Sequence, residues 1–150
     1  MALSLKKQIE NIINSKLDKT LSEVSKLIPI QIKKRTQLGK DLNNSKIKDI
    51  EDSTKAYRKR YKSNLSSNTT PNKSNLTATG QLLNSIQCEV KDRQFEISLK
   101  DQRKNDLSGK KSKVKNSEIR KFQEDQGRPF FGLLDFEKLF IIREIIKRLK

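Results

Sequence analysis

The sequence has no histidine, no tryptophan and a single cysteine, Cys88. Without histidine, the Ser–His and Cys–His pairs of nucleophilic catalysis cannot form, and zinc sites built from clustered Cys and His have no ligands. A single cysteine excludes a disulfide within the chain, and because Cys88 falls on the apolar side of a predicted strand, we interpret it as a buried, inert thiol. The scattered Asp and Glu residues form no recognisable acid–base pair. The sequence therefore predicts a protein that is not an enzyme and uses neither a cofactor nor a metal.

Long apolar runs are also missing, since the longest near the C-terminus is Leu139–Ile142. Lys6 and Lys7 are not followed by an apolar run of secretory length, so we expect no secretion signal, no membrane-spanning helix and no membrane partner. Hydrophobic residues make up 32% of the chain and charged residues 35%. With 150 residues, the chain predicts a single domain, 1–150, with a thin core.

Positive charge is what the sequence has in excess. The formal net charge is +16, whereas a small soluble domain is well behaved with a net charge of magnitude about 2–8. A nearby polyanion or an acidic protein would offset the repulsion among these charges. We therefore expect the chain to contact DNA or an acidic partner.

Apolar residues at three- and four-residue steps predict one long amphipathic helix from Leu5 to Ile28, with Ser4 as its N-cap. Pro29 is expected to end or kink this helix, and a turn follows near Gly39. The apolar stripe of the helix is roughly 35 Å long, which exceeds the width of a small core. Part of the stripe packs either on the sheet of the same domain or against a neighbouring subunit.

The segment Leu76–Ile86 joins a loop, a helix and a strand. Two threonines offer side-chain oxygens for capping the helix. Its apolar face is predicted to consist of Leu82, Leu83 and Ile86. Alternation of apolar and polar residues then predicts two antiparallel strands, at 87–91 and 94–100, joined by a turn at Asp92 and Arg93. We expect this hairpin to bury one face.

The C-terminal third contains the remaining helical signals. Residues 118–124 predict either a helical turn or a short strand, with Ile119 and Phe122 inward. Asp135 is expected to cap a last helix, Phe136–Leu149, which we interpret as a core helix rather than a membrane-surface helix. Its inward residues are predicted to be Leu139, Ile142, Ile145, Ile146 and Leu149. The chain as a whole predicts an α+β fold, in which a long N-terminal helix and a C-terminal helix pack on a small antiparallel sheet with long basic loops.

Two long loops separate the periodic segments, at about residues 63–75 and 101–117. The first is rich in Ser and Asn and is expected to be flexible, whereas the second is basic and favours contact with DNA or an acidic surface. A short basic helix at 53–62 carries Tyr57 and Tyr61, whose rings either bind nucleic acid or, as we favour, pack inward. The residues predicted to contact DNA or an acidic partner are Lys33, Lys34, Arg35, Arg58, Lys59, Arg60, Lys104, Lys110, Lys111, Lys113 and Lys115.

Three segments, in this order along the chain, carry a resemblance to a known family. The first is the long N-terminal helix that ends in a basic turn with Gly39 and Asp41, followed by the helix at 53–59. The second is Leu76–Ile86, LTATGQLLNSI, which is similar to the family's L-T-x-T-G-x-L-x-x-S-I element. The third is Arg128–Leu133, RPFFGL, which is similar to the family's R-P-F-L/F-G signature ahead of a terminal helix. The chain thus resembles the phage virion-morphogenesis and tail-completion proteins, small neck components that join a DNA-filled head to its tail.

This resemblance implies an α+β subunit without catalytic activity that assembles as a homo-oligomeric ring in the neck of a virion. The implied partners are copies of itself, portal or adaptor proteins and tail proteins, with the packaged DNA in the channel and assembly in the host cytoplasm. The residues expected to anchor the core or a subunit contact are Leu82, Leu83, Ile86, Arg128, Pro129, Phe130 and Phe131. For the two phenylalanines, core packing is favoured over an intermolecular contact. An alternative function, which would also explain the charge, is non-specific nucleic-acid binding by a basic monomer or dimer.

Overall fold

The computed structural model describes residues 5–150, so the predicted N-cap, Ser4, lies outside the described residues. The helices are α1 (Leu5–Ser25), α2 (Leu27–Gln37), α3 (Asp52–Arg60), α4 (Gln81–Asn84), α5 (Asn116–Asp125) and α6 (Asp135–Leu149). A short 3-10 turn, Lys62–Asn64, follows α3, and the strands β1 (Ile86–Lys91) and β2 (Gln94–Leu99) form a two-stranded antiparallel sheet. These elements confirm the predicted α+β fold with its N-terminal and C-terminal helices and small sheet.

The N-terminal helix is interrupted earlier than the sequence predicts. A turn at Lys26 separates α1 from α2, and α2 carries the helix on through the basic residues that follow Pro29. Pro29 lies in the first turn of α2, where a missing N–H costs no intrahelical hydrogen bond. The helix does not end at Pro29, but the interruption at Lys26 agrees with the predicted kink, because a proline ring clashes with the carbonyl four residues earlier, that of Ser25. The turn near Gly39 is confirmed, and the φ of 76° at this residue favours glycine.

The predicted hairpin is confirmed, including its turn. Asp92 and Arg93 have φ values of 48° and 61°, the double left-handed conformation that matches the twist of a two-residue hairpin. The register pairs Ile86 with Leu99, Cys88 with Ile97 and Val90 with Phe95. Arg93 donates from Nε to Asp18 (3.1 Å) and from Nη2 to Asn14 (2.7 Å), so the turn is held against α1.

The core lies where α1, α2 and α6 meet the hairpin. Its buried residues are Val24, Ile28, Ile32, Leu76, Leu82, Leu83, Ile86, Phe130 and Ile141, and the inner side chains of both strands pack on them. This confirms that Leu82, Leu83 and Ile86 are core residues. Cys88 is half-buried rather than fully buried, which corrects the sequence prediction. Burial, together with the neighbouring Glu89 carboxylate, raises the pKa of the Cys88 thiol.

In two helices, α5 and α6, some residues predicted to face inward are exposed. In α6, Ile141 is buried at 3% exposure, whereas Leu139, Ile142 and Ile146 are about half exposed, so their predicted inward orientation is wrong. Ile145 and Leu149 are half-buried as predicted. The segment at 118–124 belongs to a helix, α5, in which Ile119 is half-buried but Phe122 is exposed. The inward orientation predicted for Phe122 is therefore also wrong.

The two long loops are irregular but tied to the fold. At the end of the first loop, Asn75 is fully buried; it donates to the Asn68 carbonyl (2.9 Å) and accepts from the Thr69 hydroxyl (2.8 Å). The flexibility predicted for residues 63–75 stays a prediction.

Among residues 5–150, no helix combines the length and the apolar character that crossing a bilayer requires.

Candidate functional site

The second long loop ends at Lys115 rather than at residue 117, because Asn116 begins α5, and residues 101–115 are here called the lysine loop. Its predicted contact residues Lys104, Lys110, Lys111, Lys113 and Lys115 are all exposed, as the sequence predicts. Asn105 and Lys111 form an isolated antiparallel bridge that folds the loop back on itself. The side chain of Gln81 in α4 accepts from the Lys104 amide (2.7 Å) and donates to the Asn105 carbonyl (2.5 Å). The loop is therefore a folded basic projection fixed to the Leu76–Ile86 segment.

The acidic residues of the lysine loop bond mainly to backbone amides and serines. Asp106 accepts from the Ser108 amide (2.9 Å), the Ser108 hydroxyl (2.6 Å) and the Lys110 amide (3.1 Å), and these bonds, led by the hydroxyl, lower the pKa of Asp106. Ser117 similarly lowers the pKa of Asp101 through its side chain and its amide. Within the described chain, none of the five lysines forms a salt bridge, so their positive charges face solvent.

The basic run in α2 divides into exposed and buried members. Lys34 is exposed, and Lys33 is half-buried and donates to Asn84. Arg35 lies on the same helical face as Ile28 and Ile32, and it is only 5% exposed. The prediction that Arg35 contacts DNA or an acidic partner is wrong, because its guanidinium is used inside the fold.

Arg35 joins α2 to the C-terminal part of the chain. Its guanidinium forms a buried ion pair with Glu137 of α6 and donates to the carbonyls of Phe130 (2.6 Å) and Gly132 (3.1 Å). Burial lowers the pKa of Arg35, and the Glu137 carboxylate opposes this shift. Glu137 also accepts from the Leu134 amide at the start of α6 (2.8 Å). One carboxylate therefore neutralises a buried cation and caps a helix.

The basic helix α3 divides in the same way. Lys59 and Arg60 are exposed, but Arg58 is 7% exposed and donates to the Lys73 carbonyl (2.8 Å). The prediction that Arg58 contacts DNA or an acidic partner is therefore wrong. Tyr57 is exposed and packs edge-on against Tyr61, with ring centroids 5.0 Å apart. The inward packing favoured from the sequence is wrong for Tyr57.

The segment Arg128–Phe131 is an anchor of the fold, as predicted. Arg128 donates from Nε to the Lys48 carbonyl (3.0 Å) and from Nη2 to the Asp49 carbonyl (2.7 Å), and the Pro129 carbonyl accepts from the Leu42 amide (2.8 Å). Phe130 is fully buried, with Phe131 edge-on to it at 6.3 Å between ring centroids. The core packing favoured for both phenylalanines is confirmed for Phe130, while Phe131 is half-buried.

Two apolar surfaces of the described chain have no partner within it. The α1 stripe consists of Leu5 (72% exposed), Ile9 (48%), Ile12 (69%) and Ile13 (59%). The α6 stripe consists of Leu139 (53% exposed), Ile142 (49%) and Ile146 (50%), at the i, i+3, i+7 spacing of one helical face. The second stripe faces away from buried Ile141.

The α1 stripe lies on the N-terminal side of two contacts that hold α1 to the rest of the domain. Lys16 donates to the carbonyl of Leu149, the last residue of α6 (2.7 Å), and the hairpin turn reaches α1 at Asn14. The nine residues from Leu5 to Ile13 precede both contacts and extend α1 by about 14 Å. Sequence periodicity predicted this stripe, and its length of roughly 35 Å already indicated that a small core does not cover all of it.

In residues 5–150, no three Cys, Asp or Glu side chains cluster closely enough to hold a metal ion. Comparisons with protein-family models, with curated proteins and with solved structures found no match. The function is therefore inferred from the residues and the geometry of this chain.

Proposed function

We propose that this chain is a structural protein of a tailed-bacteriophage virion, in which copies of it form a ring around the DNA channel of the neck and join the head and portal to the tail. The observation that carries the proposal is the pair of uncovered apolar stripes on a strongly basic chain. The three segments that resemble tail-completion proteins supply the biological setting.

Covering the two stripes would stabilise an assembly substantially. Complete burial of a Leu or Ile side chain contributes about 1.5–3 kcal/mol, and roughly half of that remains to be gained at each of these positions. The seven residues together offer roughly 5–10 kcal/mol per subunit, before the entropic cost of association is subtracted. Contiguous exposed apolar surface of this kind marks protein-protein contacts.

The placement of the stripes favours a ring over a symmetric dimer. The α1 stripe lies in the first turns of α1, and the α6 stripe lies on the exposed side of α6. A contact between the α1 stripe of one copy and the α6 stripe of the next uses two different surfaces. Such head-to-tail contacts generate closed rings when the rotation between copies closes.

The charge of the chain fits a ring that encloses DNA. Copies that each carry +16 repel one another unless an anion lies between them. The lysine loop offers five exposed ammonium groups without salt bridges in the described chain, and DNA phosphates would neutralise them. We therefore place the lysine loop toward the channel.

Mass measurements with stripe variants test the ring. The wild-type chain, mixed with DNA and with head and tail proteins, should form a species several times its 17.4 kDa monomer mass. Ile12→Glu and Ile142→Glu each place a carboxylate on one stripe and should abolish this species. Leu38→Glu is the matched control, because Leu38 is 77% exposed but lies on neither stripe and outside the lysine loop. A wild-type chain that stays monomeric with all partners, or virions that contain no copies of it, would refute the proposal.

A second candidate, non-specific nucleic-acid binding by a monomer or dimer, is favoured by the exposed lysine loop. For this function, a plot of the logarithm of DNA affinity against the logarithm of salt concentration should be a falling line. Its slope should be about −0.9 for each phosphate that the protein neutralises. Replacing the five lysines with glutamine should then reduce the slope by roughly 4–5. Tight binding by a species of monomer or dimer mass, unaffected by Ile12→Glu, would favour this function over the ring.

A further inference from the structure

A cavity of about 220 Å³ lies between α3, α4 and α5, next to the Leu76–Ile86 segment. Three arginines from different parts of the chain line it: Arg58 from α3, Arg103 from the lysine loop and Arg128 from the anchor segment. Arg58 is 7% exposed and Arg128 is 6% exposed, so two of these cations are buried. The fold thus concentrates positive charge around a partly open cavity.

No carboxylate of the described chain lines the cavity, although Asp106 attracts Arg103 and Asp49 attracts Arg128 without forming a salt bridge. None of its described lining residues is Asp or Glu, and none of the three arginines forms a salt bridge with residues 5–150. Their hydrogen bonds go to neutral groups, such as the Lys73 carbonyl from Arg58 (2.8 Å) and the Asn116 side chain from Arg103 (2.7 Å). Buried charges in proteins are normally paired, because removing a charge from water costs several kcal/mol.

One donor in the cavity is also unmet. The Nε of Arg103 is buried and has no partner in the described chain. Burial, and then repulsion by Arg128, lowers the pKa of Arg58, although a guanidinium remains protonated in proteins. The two charges are therefore close enough to repel each other.

Arg35 provides an internal comparison. Arg35 is 5% exposed, which is similar to Arg58 and Arg128, but the fold supplies Glu137 as its counterion. The three-arginine cavity is the place where an equivalent anion is missing, and its guanidinium groups offer the planar donors that match an oxyanion.

We propose that this cavity binds a small oxyanion of the phosphate type, either inorganic phosphate or the phosphate group of a small monoester. The volume is below the roughly 300–1,000 Å³ of sites for drug-sized ligands, which favours a compact anion over a nucleotide. Thr54 and Thr79, which also line the cavity, add hydroxyl donors. Binding would join α3, the lysine loop and the anchor segment through one ligand. The proposal does not depend on the ring.

The direct test measures phosphate binding to the full chain by calorimetry and thermal denaturation. Sodium phosphate is compared with sodium chloride at constant ionic strength, because surface lysines respond to ionic strength alone. At a phosphate concentration 100 times its Kd, the Tm should rise by roughly 5–11 °C. Glycerol phosphate is the monoester arm. No binding of either phosphate at millimolar concentration, or tighter binding of acetate, would overturn the proposal.

A pair of arginine variants locates the site. Arg103→Gln removes a cavity cation and should weaken phosphate binding at least about tenfold. Arg60→Gln removes the same charge from an exposed residue of α3 that does not line the cavity, and it should leave binding within twofold of wild type. Equal weakening by both variants would mean that phosphate binds the basic surface non-specifically, and would overturn the proposal.

A second variant supplies the missing charge without removing an arginine. Gln123 lines the cavity and accepts from Arg128 Nη1 (3.3 Å), so Gln123→Glu places a carboxylate beside the cations. This variant should raise the Tm without phosphate and weaken phosphate binding at least about tenfold. Gln94→Glu, at an exposed position of β2, is the control and should do neither. Unchanged phosphate binding in Gln123→Glu would overturn the proposal even if Arg103→Gln fails to fold.

Discussion

Replacement of Glu137 by glutamine should weaken the fold more than the loss of any exposed carboxylate. The substitution keeps the size of the side chain and removes its charge, leaving Arg35 as an uncompensated cation in the core. The two side chains are 4% and 2% exposed, so water cannot replace the lost carboxylate. The carboxylate also accepts from the Leu134 amide, and that bond remains available to the amide oxygen of glutamine.

The expected loss follows from the partners that remain. Removing one member of a buried ion pair costs about 3–5 kcal/mol. Because Arg35 still donates to two backbone carbonyls, we expect the lower end of this range, about 3 kcal/mol. For a chain of this length, each kcal/mol lowers the Tm by roughly 2–4 °C, so the Tm should fall by roughly 6–12 °C.

Urea unfolding followed by far-ultraviolet circular dichroism measures the effect. Asp135→Asn is the matched control, because Asp135 pairs with Lys138 in the same helical turn but is 94% exposed, and an exposed pair contributes less than about 1 kcal/mol. The double variant Arg35→Met, Glu137→Leu should recover most of the loss, since well-packed apolar residues replace buried ion pairs at little cost. Equal urea midpoints for Glu137→Gln and Asp135→Asn would refute the assignment of a stabilising role to this pair.

Three further predictions follow from burial, pH and backbone geometry. Phe130→Ala should lower the free energy of unfolding by about 3–5 kcal/mol, whereas Phe122→Ala at an exposed position should change it by less than 1 kcal/mol, as measured by urea denaturation. Ser117 lowers the folded pKa of Asp101, so the hydrogen bonds between them should stabilise the lysine loop above about pH 3.9 and be lost as the pH falls through the folded pKa. Protection from hydrogen exchange should show this acid dependence in wild type and not in Asp101→Asn. Gly80→Ala should cost about 1–2 kcal/mol in thermal melts, since φ is +72° there.

Each of these predictions has a result that contradicts it. Equal losses for the two phenylalanine variants would mean that Phe130 is not a core anchor. Protection factors in the lysine loop, meaning exchange rates relative to those of an unstructured peptide at the same pH, that do not change with pH would show that the Asp101 bond does not hold it. A Gly80→Ala variant as stable as wild type would show that the backbone there relaxes at no cost.

Local sequence signals were sufficient for the hairpin but not for the orientation of α6. In each strand of the hairpin, the alternation of apolar and polar residues leaves only one possible inner face. The two strands are also separated by only two residues, so each strand lies next to its partner in the sequence. In α6, two apolar faces compete, one through Ile141 and Ile145 and one through Leu139, Ile142 and Ile146. The face that turns inward also carries Glu137, and its partner lies in α2. Periodicity alone therefore selected the wrong face.

The same limit explains the misplaced arginines of the predicted site. Arg35 and Arg58 stand in basic runs whose other members are exposed, so composition assigns all of them to the surface. Their burial depends on partners distant in sequence, Glu137 for Arg35 and the Lys73 carbonyl for Arg58. The exposure of the lysine loop could be predicted without knowing distant partners, because the loop has few apolar residues and its lysines are solvated.

The long-range bonds that close this fold also have a consequence during translation. Arg35 and Glu137 are 102 residues apart, and Arg128 and Lys48 are 80 apart. At about 5–20 residues per second, a ribosome needs roughly 5–20 s to synthesise the stretch between the first pair. Throughout that interval the nascent helices present Val24 without its C-terminal partners. The core therefore stays incomplete until the residues around Glu137 have been synthesised.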